Sequence, residues 1–509
     1  MRFSAYLFIL ALAGSLSVAY QAESDEPSPV GRWESVDLVR DVNDFNPERK
    51  NWQEELFLKE VKFHADGTTN SFFSWKNGWI LHNDGKTKSQ FYIRQINDSM
   101  YLFLPWLSGD VTERGQKPWY YVLGKVPDNT QTNTAGAGSK TNNRQELMGK
   151  SFQTVRPVDS VNEYDDVRWK DLSKIKSTAT AAVISTLTFN QKTVWPDTNI
   201  IPPAKKPDEL LKKAMNPGLG IRQLHKQGIT GKGVNVAIID QAMYLDHPEF
   251  AGKITAYHYL AGGNKSSMHG PSVTSLLVGK NCGTAPDANV YYVAARDGVY
   301  EVDYAEGLDW IIEQNRNLPA SEKIRVVSVS AAPGMAGTPA ESNQKKWDAA
   351  LARAQAEGIL VLDCTPHHGF IGSCWLNSFN VEDVTLCTPG FPGQQSHGFT
   401  PDKLLAPTCP RTTAEQYNKN DFSYQYCGRG GLSWAIPYVA GVLAMGWQVN
   451  PDLTGEQMKN LLFDSAATTP AGAKIINPAR FIALVKASRS EQSRTTKTES
   501  SGWATGSGR

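Results

Sequence analysis

The stretch GITGKGVNVAIIDQAMYLDHPEF, residues 228 to 250, decides the fold. Its middle, Val234 to Ile239, is a short, largely apolar run between a glycine and an acid, the pattern of a strand covered on both faces. Three more runs of this kind follow: Val290 to Ala294, Ile324 to Val329 and Ile359 to Leu362. Between them stand the helix-like stretches AEGLDWIIEQNR (305 to 316) and KKWDAALARAQAEG (345 to 358), the second closed by Gly358 as a helix C-cap closes. This alternation predicts a doubly wound α/β domain over residues 206 to 486. Ligands in open α/β sheets bind beyond the carboxyl ends of strands, so Asp240, which ends the first run, faces the reaction crevice.

Two further motifs follow in the same region. MHGPSVTSLLVG (268 to 279) puts His269 where a loop turns into an apolar helix, and GLSWAIPYVAGVLA (431 to 444) does the same for Ser433. Singly, each residue has a bland reading: Asp240 as a turn cap, His269 as a helix-end residue, Ser433 as a cap in a Gly-rich loop. Jointly, an acid, an imidazole and a hydroxyl make the orienter, base and nucleophile of acyl transfer, whose chain order differs between folds.

Over about 206 to 486 the chain resembles the subtilisin-like serine peptidases, the subtilases. The resemblance rests on the Asp240 segment with its His247-Pro248 close, the His269 segment followed by GTAPDANVYYVA (283 to 294), and the Ser433 segment. It implies a three-layer domain with a mostly parallel sheet, polypeptide as substrate, and Asp240, His269 and Ser433 as catalytic residues. The Ser433 backbone N–H is expected to be one oxyanion donor. For the second, the family uses an Asn, and alignment of GILVLDCTPHHG (358 to 369) puts His367 there, with His368 beside it. Ser330, Ala331 and Ala332 stand where the family carries its substrate-binding wall, with Ala332 in place of a glycine. Leu432, Trp434, Ala242 and Pro271 also depart from the family pattern. Structural calcium is common in the family, but no Asp-rich loop of ligand spacing is present in the sequence, so no metal or cofactor is read from it.

At 509 residues the chain is too long for one ordinary core, and accessory structure is expected. Residues 28 to 126 are rich in aromatic and branched residues broken by turn pairs such as Asp66-Gly67 and Asn97-Asp98. They predict a small antiparallel β domain, with a lipocalin-like barrel as one form it could take. Residues 127 to 147 read as a flexible linker, 148 to 205 as a connecting segment and 487 to 509 as a disordered polar tail. Residues 1 to 22 read as a signal peptide, since the apolar run from about Tyr6 to Ala19 is too short to span a bilayer. The expected location is therefore secreted, periplasmic or cell-envelope, with no membrane span after signal removal. Six cysteines, all between Cys282 and Cys427, then suggest disulfides. A formal net charge of +1 gives no bulk attraction for nucleic acid. Two rival functions remain beside the endopeptidase: a binding or regulatory protein on a degenerate peptidase scaffold, and an adhesion or carbohydrate-binding role centred on the β domain.

Overall fold

The computed structural model describes residues 28–51, 58, 60–69, 73–82, 87–106, 118–126, 155–260, 268–295, 304–333, 344–365, 368–392 and 402–502. The expected signal peptide (1 to 22), the linker (127 to 147) and His367 lie outside them.

The α/β region is built on a five-stranded, all-parallel sheet in the order Ile254–Tyr259, Asn289–Ala295, Asn235–Gln241, Ile324–Val329, Leu360–Leu362. Asn235–Gln241 is the central strand, and its alternating side chains feed two separate cores. Val236 and Ile238 pack with the helices His269–Val278 and Leu432–Val449 on one face. Ala237 and Ile239 pack with the helices Tyr304–Asn317 and Gln344–Ala356 on the other. Burial on both faces is why Val236 to Ile239 are all apolar, and the result is the three-layer arrangement expected. Truncating Ile239, wholly buried, to alanine would cost about 2–5 kcal/mol. The helix Leu432–Val449 is long and apolar enough to cross a membrane, but it is mostly buried and serves here as the central core helix.

A mixed five-stranded sheet flanks this domain, in the order Thr388–Pro389, Ile371–Trp375, Leu404–Cys409, Lys474–Ile475, Ala467–Thr468. A three-stranded antiparallel sheet joins Thr188–Asn190, Ser423–Cys427 and Arg411–Glu415. The stretch expected as a mere connection therefore supplies a strand to the α/β region. The expected disordered tail also needs correction, because the helix Pro478–Gly502 continues well past residue 487.

The N-terminal unit is antiparallel, as its turn spacing predicts. Its described strands are β1 (Gly31–Val39), β2 (Glu60–Phe63), β3 (Ser74–Lys76), β4 (Trp79–His82), β5 (Thr87–Gln90), β6 (Tyr92–Ile96), β7 (Ser99–Trp106) and β8 (Trp119–Lys125). One sheet runs in the order β2-β1-β8-β7-β6, and β3-β4-β5 form a second, smaller one. Trp33, Val61, Phe63, Leu102 and Leu123 make the core of the unit. Asn97, with φ of 54°, turns β6 into β7 in the left-handed conformation a two-residue hairpin requires. Among the described strands no pairing closes the two sheets on each other, so the lipocalin-like barrel is without support.

The disulfides expected from the even cysteine count are absent: none of the six cysteines is joined to another, and five are buried. Inside the fold they act as small apolar side chains. Cys282 lies beside Glu249 and Cys427 beside Trp434, and burial pushes the Cys427 thiol up to about 12. Cys374 and Cys387, the latter just before the strand Thr388–Pro389, hydrogen-bond as thiols.

Candidate active site

Asp240 is the last but one residue of the central strand and is 3% exposed. Its Oδ1 accepts the Gln241 backbone N–H at 2.8 Å, which fixes the carboxylate at the strand end. His269 opens the helix His269–Val278 and sets its Nδ1 2.8 Å from the same Oδ1. The close approach of helix and strand depends on Gly270: a Cβ there would lie 2.4 Å from the Gln241 carbonyl oxygen and 2.7 Å from the Tyr292 hydroxyl. Burial by itself lowers the His269 pKa, but the Asp240 charge and hydrogen bond outweigh it, so the imidazole is held above its ordinary value.

Ser433 lies in the first turn of the helix Leu432–Val449, where backbone N–H groups have no intrahelical acceptor. Its backbone carbonyl is orphaned for a different reason. Pro437, four residues on, has no N–H to give it, and the Ser330 hydroxyl fills the gap by donating to it at 2.9 Å. The Ser433 hydroxyl in turn donates to the Ser330 carbonyl at 3.1 Å. Two reciprocal bonds thus clasp the nucleophile candidate to the end of the strand Ile324–Val329, one place from the central strand. The Trp434 indole, 6% exposed, packs on the imidazole with ring centres 5.3 Å apart and planes tilted by 36°.

Ser330, Ala331 and Ala332 follow directly on the strand Ile324–Val329. The Ala331 carbonyl accepts the Cys364 N–H at 2.8 Å, which ties this wall to the 358–369 stretch. That stretch is anchored by buried Asp363, which accepts the Trp347 indole N–H at 2.8 Å and the Thr365 hydroxyl at 2.6 Å. His368 turns away, its Nε2 2.9 Å from Asp348 Oδ1 on the helix Gln344–Ala356. His247, from the His-Pro close, is a buried structural residue: its Nε2 meets the Ser423 carbonyl at 3.2 Å, and burial lowers its pKa.

Asp240, His269, Ser433 and Ser330 to Ala332 are thus gathered around the carboxyl ends of adjacent parallel strands and the mouths of two helices. The sequence motifs missed the Ser330 clasp. The signal was Pro437 at four residues past Ser433, which announces a carbonyl in need of a donor. Among the described residues, no three His, Cys, Asp or Glu side chains converge as a metal site.

The sequence profile of the subtilase family matches residues 231–365, which contain both Asp240 and His269. Over this stretch the α/β region is similar to the subtilase family. Subtilisin-like protease PopC of Myxococcus xanthus is 24% identical over 285 residues, covering 49% of this chain and 59% of that protein. Serine protease AprX of Bacillus subtilis is 27% identical over 278 residues, covering 46% of this chain and 62% of that protein. This chain therefore spans less than two thirds of the length of either relative. Among solved structures, the A-subunit of the AB5 toxin from E. coli is similar at 16% identity and a TM-score of 0.42, over 53% of this chain and 98% of that one. The profile match of the subtilase region stops before Ser433, so the third residue rests on its motif and on the geometry around it.

Proposed function

We propose that this chain is an exported serine endopeptidase that cuts polypeptides through Ser433, His269 and Asp240. The observation that carries the reading is the 2.8 Å Asp240–His269 hydrogen bond at the crevice into which the Ser433 helix opens. A serine hydroxyl is a poor nucleophile at neutral pH until a base takes its proton, and Asp240 fixes the imidazole tautomer that can do so. Ser433 rotates from the Ser330 carbonyl to His269 and attacks the scissile carbonyl as its proton passes to the ring. The new C–O bond sends the carbonyl π pair to oxygen, where the Ser433 backbone N–H and His367 are the proposed donors. His269 then protonates the amine as the C–N bond breaks, which leaves an acyl-enzyme. Water, deprotonated by the same ring, attacks the ester and restores Ser433. Ser330, Ala331 and Ala332 pair with extended substrate as an added strand.

A serine-reactive fluorophosphonate should label the folded wild type and fail to label Ser433→Ala, and casein should be cleaved by the first alone. Absence of labelling on folded wild type would reject the peptidase. That outcome belongs to a second reading, a binding protein on a degenerate scaffold, favoured by the Ser433 hydroxyl bonding to Ser330 and by the Trp434 ring seated on His269.

A further inference from the structure

We propose that residues 155 to 205 are a permanent brace of the catalytic unit, holding both the Ser433 loop and the His269 helix, so that any processing that separates the N-terminal β unit cuts upstream of Val155. The proposal rests on the reading of Ser433 and His269 as nucleophile and base.

The strand Thr188–Asn190 lies antiparallel against Ser423–Cys427, with Thr188 opposite Cys427 and Asn190 opposite Gln425. The bonding continues toward the nucleophile. The Gly428 N–H donates to the Leu187 carbonyl at 3.0 Å, five residues before Ser433. A Cβ at 428 would lie 2.4 Å from the Thr186 carbonyl group, so the glycine is required by the presence of this segment. Tyr426 ties the same strand down twice: its hydroxyl donates to the Ser185 carbonyl at 2.9 Å, and its ring stacks on Phe189 with centres 4.9 Å apart. Val167, Leu172, Ile184, Leu187, Phe189 and Ile201 close around Tyr426 and the helix Pro207–Ala214 in a core of their own.

A polar path reaches the base. Arg168 Nη1 donates to Gln425 Oε1 at 2.8 Å, and Gln425 Nε2 donates to the Ser272 hydroxyl at 2.8 Å. Ser272 lies one turn beyond His269 on its helix, and its hydroxyl donates at 2.8 Å to the carbonyl of Met268, the residue just before His269. Beside this path, Asn190 Nδ2 donates at 2.8 Å to the buried Glu415 carboxylate, which also stands 3.7 Å from Arg168. A segment that merely linked two domains would have no reason to set a half-buried arginine against the strands Ser423–Cys427 and Arg411–Glu415.

The test uses the full chain with two inserted recognition sites for a site-specific protease, one directly before Val155 and one between Asn199 and Ile200, where the surface is open. After both cuts, the piece from 155 to 199 should co-elute with the remainder on size exclusion, and fluorophosphonate labelling should persist. Stripping that piece off in mild urea should slow labelling about tenfold or more, the scale of a misplaced catalytic group, and adding it back should restore the rate. A remainder that loses the piece, stays folded by circular dichroism and labels at the uncut rate overturns the brace. In the uncut chain, Arg168→Met should lower kcat about tenfold with KM little changed, and Arg168→Lys should recover part of the loss. A fall in Tm without change in kcat would leave Arg168 a stabiliser only and overturn its link to His269. Failure of uncut wild type to label would remove the peptidase reading alone, since co-elution still decides whether the segment is a permanent part of the domain.

Discussion

Asp240 and His269 already meet through a 2.8 Å hydrogen bond, on a strand end and a helix start that follow the subtilase pattern. Ser433 is held differently: its hydroxyl bonds to the Ser330 carbonyl at 3.1 Å. Its neighbours Leu432 and Trp434, and His367 at the expected place of the second oxyanion donor, all depart from that pattern. The proposed base is already paired with its acid, while the proposed nucleophile sits in a clasp with Ser330 that a proline-orphaned carbonyl helps to build. The contrast places the departures from the family pattern around Ser433 and leaves the Asp240–His269 pair within it.

The largest effects should come from the assembled half. His269→Ala should lower kcat by roughly a million-fold, the scale known for a subtilisin triad. Asp240→Asn should cost about ten-thousand-fold through the wrong tautomer, read in steady-state kinetics against a peptide substrate. The pH profile sharpens this. Because Asp240 raises the His269 pKa, the acid limb of kcat/KM in wild type should have its midpoint above the ordinary histidine value. Asp240→Asn should move that midpoint down. The same raised pKa has a stability signature: the imidazolium–Asp240 pair contributes fully below the unfolded-state pKa, and that contribution is lost as pH rises through the folded-state value.

The other half should yield smaller, more discriminating numbers. His367→Ala should slow turnover by about a hundred- to a thousandfold if the ring donates to the oxyanion, with KM little affected. An unchanged kcat would end that role and turn attention to the backbone N–H alone. Ser330→Ala strips the donor from the Ser433 carbonyl and should destabilise the domain by about 1–3 kcal/mol in urea unfolding. The smallest effect expected is from Trp434→Met. Removal of a π face from the imidazolium should lower the His269 pKa slightly, followed by NMR titration of the ring, which requires no activity.

Much of this site was legible because it obeys local rules. The run from Val234 to Ile239 announces a strand buried on both faces, and an acid closing such a strand has one place to point. Helix mouths at His269 and Ser433 are equally local. Other features stay hidden in the sequence because they depend on partners far along the chain. An even cysteine count suggests pairing, but the fold packs Cys282 against Glu249 and Cys427 against Trp434, and brings Cys374 and Cys387 together as hydrogen-bonded thiols. Residues 148 to 205 carry no strong period of their own, since the strand Thr188–Asn190 is short and gains its partner more than 230 residues later, across the pair Thr188 and Cys427.

What the sequence determined by itself was the kind of domain and the candidates for its acid, imidazole and hydroxyl, because periodicity and motif spacing are properties of neighbouring residues. What only the tertiary structure decided was which of these groups are in contact and what supports them: the Asp240–His269 bond, the Ser330 clasp on Ser433 and the Arg168–Gln425–Ser272 path. Such hydrogen bonds depend on distances of a few tenths of an ångström between segments that are remote in the chain, and those are fixed only once the layers have packed.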